Sequence, residues 1–245
     1  MKLFGTFLRS LSIHSSWNFW RMQNVGFAFA MIPAIRKSAG NREETASMLA
    51  RHLQLFNTHP YMSGAIIGSV ARLEEEKADP AEIANLKRTL MAPYAAMGDS
   101  LFWGSLKPFC AALAVFLALQ GFLLAPAVLL LAYTPLHFWV RYKGFYEGYR
   151  NGRGAIDFIR KMNLPETARK FRWVSVVLLG VFAAFAAGIF LPAGEHGILY
   201  GMLRRLPLLG GALLCFALAR RGIPVLAVLY GGFVLLFLTA LMAKW

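Results

Sequence analysis

Residues 109–140 read FCAALAVFLALQGFLLAPAVLLLAYTPLHFWV and contain no charged side chain. A single helix of this length would measure ~48 Å, whereas the hydrocarbon core of a bilayer is ~30 Å thick. Gly121 and Pro126 lie in the middle of the stretch, and proline is well tolerated in the first turn of a helix. The stretch therefore predicts two helices joined between these residues, the second running past Arg141 toward Gly152.

Three further uncharged stretches follow toward the C-terminus. Trp173–Gly194 and Gly222–Ala243 are each long enough to cross a membrane. Leu206–Ala219 is shorter, and it crosses only if the arginines on either side extend it by snorkelling. We therefore expect an all-α, polytopic integral membrane protein with about five membrane helices.

Composition and charge agree with a membrane protein. The chain is 58% hydrophobic, has a mean hydropathy of +0.51 and carries a net charge of +14. The excess of Lys and Arg flanks the uncharged stretches, which is typical of cytoplasmic juxtamembrane segments and argues against a nucleic-acid-binding protein. Because residues 141–172 and the N-terminal half are basic, we expect both on the cytoplasmic side of a multi-pass protein.

The N-terminal half predicts amphipathic and re-entrant helical hairpins. His14–Ile35 combines many aromatic residues with one charge, and Thr89–Leu106 contains Pro93 and Gly98, where we expect non-helical backbone. Arg72–Arg88, between them, predicts a solvated connector. The expected organisation is a region of such hairpins (1–108), a transmembrane hairpin (109–152), a basic cytoplasmic loop (153–172) and C-terminal transmembrane helices (173–245).

Two polar positions stand out against this apolar background. Asp99 is a carboxylate in an apolar run. Such a residue faces a cavity, a partner or a substrate, or else it caps a helix N-terminus or pairs with a neighbouring chain. The segment 57–60, Asn-Thr-His-Pro, offers side chains that both donate and accept hydrogen bonds, as binding of a polyol requires. The alternative for this segment is a helix N-terminus, with Asn57 or Thr58 as the cap and Pro60 in the first turn.

Other kinds of site are not indicated. The sequence has no metal-binding motif, no nucleotide-binding glycine motif and no paired catalytic carboxylates, so we expect no metal, no cofactor and no catalytic residue. The sequence therefore contains no set of catalytic residues that would support a membrane-bound enzyme. Glycines recur every four residues at 64 and 68 and at 144, 148 and 152, which predicts closely packed helix faces, within the chain or between subunits.

Five blocks of the sequence together resemble a known family: SSWNFWRMQNVGFAFAMIPAIRK (15–37), FNTHPYMSGAIIG (56–68), LEEEKA (73–78), LMAPYAAMGDSLFWGSLKP (90–108) and RYKGFYEGYRNG (141–152). In order and spacing they are similar to the IID membrane component of the mannose/fructose/sorbose family of the phosphoenolpyruvate-dependent sugar phosphotransferase system. The C-terminal third matches this family mainly by hydropathy.

The resemblance implies a non-catalytic permease subunit in the bacterial inner membrane that translocates a hexose together with a IIC subunit. IIA and IIB phosphocarrier proteins would supply phosphate, IIB would phosphorylate the sugar, and the subunits would form a higher-order hetero-oligomer surrounded by membrane lipid. It also implies a substrate-binding role for Asn57, Thr58, His59 and Asp99, and more weakly for Gln23 and Asn24, which lie in the N-terminal block.

One departure from the family pattern leaves an alternative open. The family often carries a longer polar stretch between its penultimate hydrophobic segments, whereas only about residues 193–203 separate them here. A regulatory or scaffolding subunit that no longer transports is compatible with this shortening.

Overall fold

A computed structural model of the chain describes residues 2–154, 163–190, 206–224, 226–228 and 230–234. The described residues fall into two compact units, within 1–179 and 180–245. Regular structure in these ranges is helical, which confirms the all-α prediction, and two isolated β-bridges lie between helices. The helices are α1 (Lys2–Ser10), α2 (Asn24–Ser38), α3 (Arg42–His52), α4 (Ser63–Glu75), α5 (Pro80–Gly98), a π-helical segment (Asp99–Leu106), α6 (Lys107–Leu119), α7 (Ala125–Asn151), a 3-10 turn (Gly152–Gly154), α8 (Leu164–Phe190) and α9 (Leu206–Arg220).

The predicted helical hairpin is confirmed. Helix α6 ends at Leu119, and the chain turns through Gly121, whose φ of +80° suits a residue without a Cβ. Helix α7 then begins at Ala125 with Pro126 in its first turn, and it continues through Arg141 to Asn151.

The expected breaks at Pro93 and Gly98 are wrong. Helix α5, the π-helical segment and α6 form one helical stretch from Pro80 to Leu119, 40 residues long. Proline inside a helix removes one backbone hydrogen bond, but the neighbouring Leu90 and Tyr94 are buried and hold the helix in place.

Asp99 is consequently not a helix N-cap. It has helical dihedral angles, φ −59° and ψ −46°, at the junction of α5 and the π-helical segment.

Within the described residues, Pro80–Leu119 is the one helix that is long and apolar enough to cross a membrane. The count of five membrane helices therefore stays a prediction. Helix α8 begins at Leu164, so the second half of the expected loop 153–172 is helical. Much of Gly222–Ala243 and the whole of the shortened stretch 193–203 lie outside the described residues.

The N-terminal aromatic block forms a helix only from Asn24 onward. Before it, the Asn18 amide donates to Met22 O, the Asn18 carboxamide oxygen accepts from Arg21 N–H, and Met22 has a φ of +56°. Such local bonds from an asparagine side chain compete with helix formation, which explains why residues 14–23 form turns.

The recurring glycines form a packing face within the chain, which is one of the two arrangements that their spacing predicts; the other is a face between subunits. Helices α4 and α7 cross at Gly64, Gly68, Gly144 and Gly148. A Cβ added at Gly68 would lie 2.8 Å from Tyr149 N, and one added at Gly148 would lie 3.0 Å from the Ala65 carbonyl carbon. The two helix backbones are therefore in direct contact.

The connector Arg72–Arg88 is less solvated than its sequence predicts. Glu74 and Lys87 are both buried. Glu74 lies 2.8 Å from Arg51 Nη2 and 3.0 Å from His52 Nε2, and Lys87 Nζ lies 4.4 Å from the ring centre of Phe27. Partners on α2 and α3 therefore account for these two buried charges, because a charge removed from water needs close partners.

Candidate functional site

A cavity of 210 Å³ brings together five of the six predicted substrate-binding residues. This volume is below the ~300–1,000 Å³ of pockets for drug-sized ligands, and so suits a small molecule. The cavity is lined by His14, Trp17, Gln23, Asn57, Thr58, His59, Ala95, Asp99 and Trp103.

One wall of the cavity is built by hydrogen bonds between Gln23 and Thr58. The Gln23 amide donates to Thr58 O at 2.6 Å, and its carbonyl oxygen accepts from Thr58 N–H at 3.2 Å. The Thr58 hydroxyl donates to Met91 O on α5 at 3.1 Å. The side chains of Gln23 and Thr58 are therefore hydrogen-bonded within the protein, and their role is to hold this wall of the cavity in place.

Asn57 and Thr58 do not cap α4, because this helix begins at Ser63 and its N-cap is Met62. The segment containing them is fixed instead by Gln23, whose backbone N–H donates to Phe56 O at 2.8 Å. The capping alternative for the Asn-Thr-His-Pro segment is thus wrong.

His59 is 2% exposed and held by aromatic rings of the π-helical segment. Its ring stacks on Phe102 with centres 5.3 Å apart, and the Trp103 ring centre lies 4.6 Å away. Its Nδ1 accepts from Tyr61 N–H at 3.2 Å, which places the proton of the neutral ring on Nε2. Nε2 is buried and has no hydrogen-bond partner among the described residues.

Electrostatics keep His59 neutral. Burial lowers the pKa of His59 to about 3, with smaller contributions from the positive charges of Arg141 and His14. The residue therefore offers an uncharged N–H donor at ordinary pH.

Asp99 and Asn57 supply the unpaired polar groups of the cavity. Both are exposed, and neither side chain forms a hydrogen bond or an ion pair within the described ranges. Asp99 begins the π-helical segment, and this rare geometry is frequent at functional sites.

Four lining residues were not predicted from the sequence: His14, Trp17, Ala95 and Trp103. His14 lies 2.7 Å from the Gln23 amide nitrogen, and burial together with Arg141 lowers its pKa. Trp17 and Trp103 add half-exposed aromatic rings. The signal that could have identified the tryptophans is their position within the SSWNFW and GDSLFW segments, beside the polar residues that were singled out.

Asn24 is not part of the cavity. Its amide donates to Leu53 O at 2.7 Å, and its carboxamide oxygen accepts from the Asn18 amide at 2.7 Å. The side chain instead joins the turns before α2 to the end of α3, which gives it a structural role.

The cavity has the chemistry of a neutral polar ligand site. Among the described residues, no group of His, Cys, Asp and Glu side chains is arranged to hold a metal ion, and Cys110 and Cys215 are free. The residues that line the cavity include a carboxylate, a side-chain amide, an imidazole and two tryptophans. Such a set can bind a small polyhydroxyl compound, because each hydroxyl both donates and accepts.

Curated relatives of the chain are sugar-transport proteins. It is 40% identical over 164 residues to the mannose-specific EIID component of Escherichia coli K12. This alignment covers 64% of this chain and 57% of the relative. The chain is 38% identical over 156 residues to the fructose permease IID component of Bacillus subtilis, and 36% over 160 residues to the sorbose-specific EIID component of Klebsiella pneumoniae. These alignments cover 57% and 58% of the two relatives.

Solved structures resemble the chain over nearly its whole length. One is a cryo-electron microscopy structure of the mannose transporter ManYZ in complex with microcin E492 (MceA), at a TM-score of 0.60 and 30% identity. Another, described as a membrane protein, has a TM-score of 0.75 and 31% identity. Each match covers 98% of this chain and 96% of the other.

The sequence model of one family, the phosphotransferase (PTS) system mannose/fructose/sorbose family IID component, matches residues 1–244. Together with the relatives and the fold, this match shows that the chain belongs to the IID components of the mannose/fructose/sorbose family.

Proposed function

We propose that this chain is the IID half of a hexose permease, which translocates the sugar across the bacterial inner membrane together with a IIC subunit. IIB phosphorylates the arriving sugar and IIA supplies IIB with phosphate, so the chain itself is not an enzyme. The proposed assembly is a higher-order hetero-oligomer in the lipid bilayer, and the N-terminus of this multi-pass chain is cytoplasmic.

The observation that carries this proposal is the composition of the cavity wall. His59, Asp99 and Asn57 line the same small space, and the buried Nε2–H of His59 has no hydrogen-bond partner among the described residues. A buried donor without a partner costs free energy, and a hydroxyl that accepts from it removes this cost. The proposed substrate therefore hydrogen-bonds to His59 and Asp99.

The aromatic residues support a sugar in particular. Trp17 and Trp103 both line the cavity and keep about half of their surface exposed. A hexose ring has C–H groups on its faces and hydroxyls at its edges, so it fits a site with aromatic surfaces and hydrogen-bonding groups. Gln23 and Thr58 act by fixing the wall.

The experiment that tests the proposal is phosphoenolpyruvate-dependent uptake of a hexose panel. Cells expressing the chain with its IIC, IIA and IIB partners are compared with cells that lack only this chain. We expect uptake of at least one hexose to require the chain. A stable complex with IIC that transports no sugar of the panel would contradict the proposal and favour the regulatory subunit.

A substitution tests the role of the cavity itself. Asp99→Asn keeps the size of the side chain and removes its charge. We expect uptake to fall by about tenfold or more, because the substrate loses one charge-assisted hydrogen bond. Glu43→Gln removes an exposed carboxylate on α3 and serves as the control. Normal uptake by Asp99→Asn at normal membrane abundance would contradict the proposed role.

A further inference from the structure

A second cavity lies between α1 and α2, among residues that do not line the first. It has a volume of 240 Å³ and is lined by Arg9, Ile32, Pro33 and Arg36. Gly5 lies at the contact between the two helices, where a Cβ would lie 3.6 Å from Pro33 Cγ. Two guanidinium groups therefore share a depression with an apolar floor.

These two arginines have no acidic partner within the part of the chain that the structure describes. The guanidinium of Arg9 instead lies over the Phe29 ring, 4.9 Å from its centre. The neighbouring Lys37, in contrast, forms an ion pair of 2.8 Å with Glu75. The cavity is thus an uncompensated positive site, complementary to an anion with two or more oxygens, such as a phosphate group.

An apolar stripe leads away from the arginines along α2. Val25, Phe29, Ile32 and Pro33 recur at helical spacing on the face that ends at Arg36, and Val25 and Phe29 are exposed. From Val25 to Arg36 the helix rises ~16 Å. A ligand with a charged head and a long apolar tail matches this arrangement.

Helix α1 has the features of a helix in the membrane interface. It exposes Phe4 and Leu8 while Phe7 is buried against α7, in edge-to-face contact with Tyr142. Short helices that combine exposed apolar residues with basic residues lie at the boundary between headgroups and acyl chains. The cavity is therefore placed where phospholipid is available.

We propose that the groove between α1 and α2 binds an anionic phospholipid. Its phosphate is held by Arg9 and Arg36, and an acyl chain follows Phe29 and Val25. Charge complementarity selects an anionic headgroup, and the exposed stripe selects a lipid over free phosphate.

Binding can be measured on the full chain, purified with its IIC partner in a neutral detergent. Titration with phosphatidylglycerol is followed by native mass spectrometry, with phosphatidylcholine as the zwitterionic comparison and inorganic phosphate as a competitor. We expect phosphatidylglycerol to bind, and the double variant Arg9→Gln/Arg36→Gln to bind it roughly 30-fold more weakly. The double variant Arg42→Gln/Arg88→Gln removes the same charge from exposed positions and should bind normally.

A second variant tests the apolar half of the site. Phe29→Ser should weaken binding of long-chain phosphatidylglycerol more than binding of its short-chain analogue, because only the long chain reaches the stripe. Equal phosphatidylglycerol binding by the Arg9/Arg36 and Arg42/Arg88 double variants would overturn the proposal. Displacement of the lipid by millimolar inorganic phosphate would also overturn it, since the site would then be a general phosphate site.

Discussion

The ring of His59 lies directly against the backbone of α5 at Gly98. A Cβ added at Gly98 would overlap the imidazole and lie 2.8 Å from Nδ1, the atom that accepts the Tyr61 N–H. The absence of a side chain at Gly98 therefore allows the imidazole of His59 to take this position.

Gly98→Ala is expected to displace His59 and to abolish most of the uptake. Overpacking of a filled interior costs ~1–3 kcal/mol, so the free energy of unfolding should fall by this amount. Uptake and thermal melting of the purified complex measure both effects. Gly210→Ala on α9 is the control, because an added Cβ has no described neighbour within 4 Å. Unchanged uptake by Gly98→Ala would show that the position of His59 is unimportant for transport.

Stability should fall as the pH is lowered from about 6.5 toward 3, in part because of His59. In the folded state its pKa is lowered to about 3, whereas in the unfolded chain it is ~6.5. Between these values the unfolded chain binds a proton that the folded chain does not, so acid favours unfolding. Melting temperatures at pH 7.5 and 5 should differ less in His59→Gln than in the unsubstituted chain. An equal difference would contradict this assignment.

The buried carboxylate of Glu74 should be essential for the stability of α3 and α4. Glu74→Gln removes the ion pair with Arg51 and the negative charge that acts on the buried Lys87, and breaking a buried ion pair costs ~3–5 kcal/mol. Thermal melting of the complex measures this loss. Glu76→Gln, which breaks exposed ion pairs with Arg72 and Arg153, should leave the melting temperature close to that of the unsubstituted chain. Equal melting temperatures of the two variants would contradict the role of the Glu74 carboxylate in stability.

The contact between α4 and α7 predicts opposite outcomes for two glycines on the same face. Gly148→Ala would drive a Cβ into the Ala65 backbone and should destabilise the protein by ~1–3 kcal/mol. Gly144→Ala places its Cβ 3.5 Å from the Ala65 Cβ, an ordinary contact, and should be neutral or slightly stabilising. Thermal melting distinguishes the two variants, and similar melting temperatures would contradict the close backbone contact.

Features with a local cause were predictable from the sequence. The turn at Gly121 and Pro126 follows from chain length and proline geometry, and the glycine face follows from four-residue spacing. The clustering of Asn57, Thr58, His59 and Asp99 was expected from family resemblance, and the structure brings these residues to one cavity.

Features that depend on tertiary partners were not predictable. Helix α5 continues through Pro93 because its neighbours are buried, and Asn24 is held by Leu53 O from a distant helix. Lys87 looks solvated in the sequence, but in the fold it lies over the Phe27 ring. In each case a contact remote in the chain outweighs the local preference.

The glycine contact between α4 and α7 also limits how the protein can move. Because backbone meets backbone at Gly68 and Gly148, sliding one helix by a single residue would bring a side chain where only a hydrogen fits. The two helices therefore move as one rigid body, with no slip plane between them. Conformational change in the proposed transport cycle then requires a hinge elsewhere, and the exposed, non-helical residues 120–124 between α6 and α7 are the candidate, because no buried contact within the described part of the chain holds them.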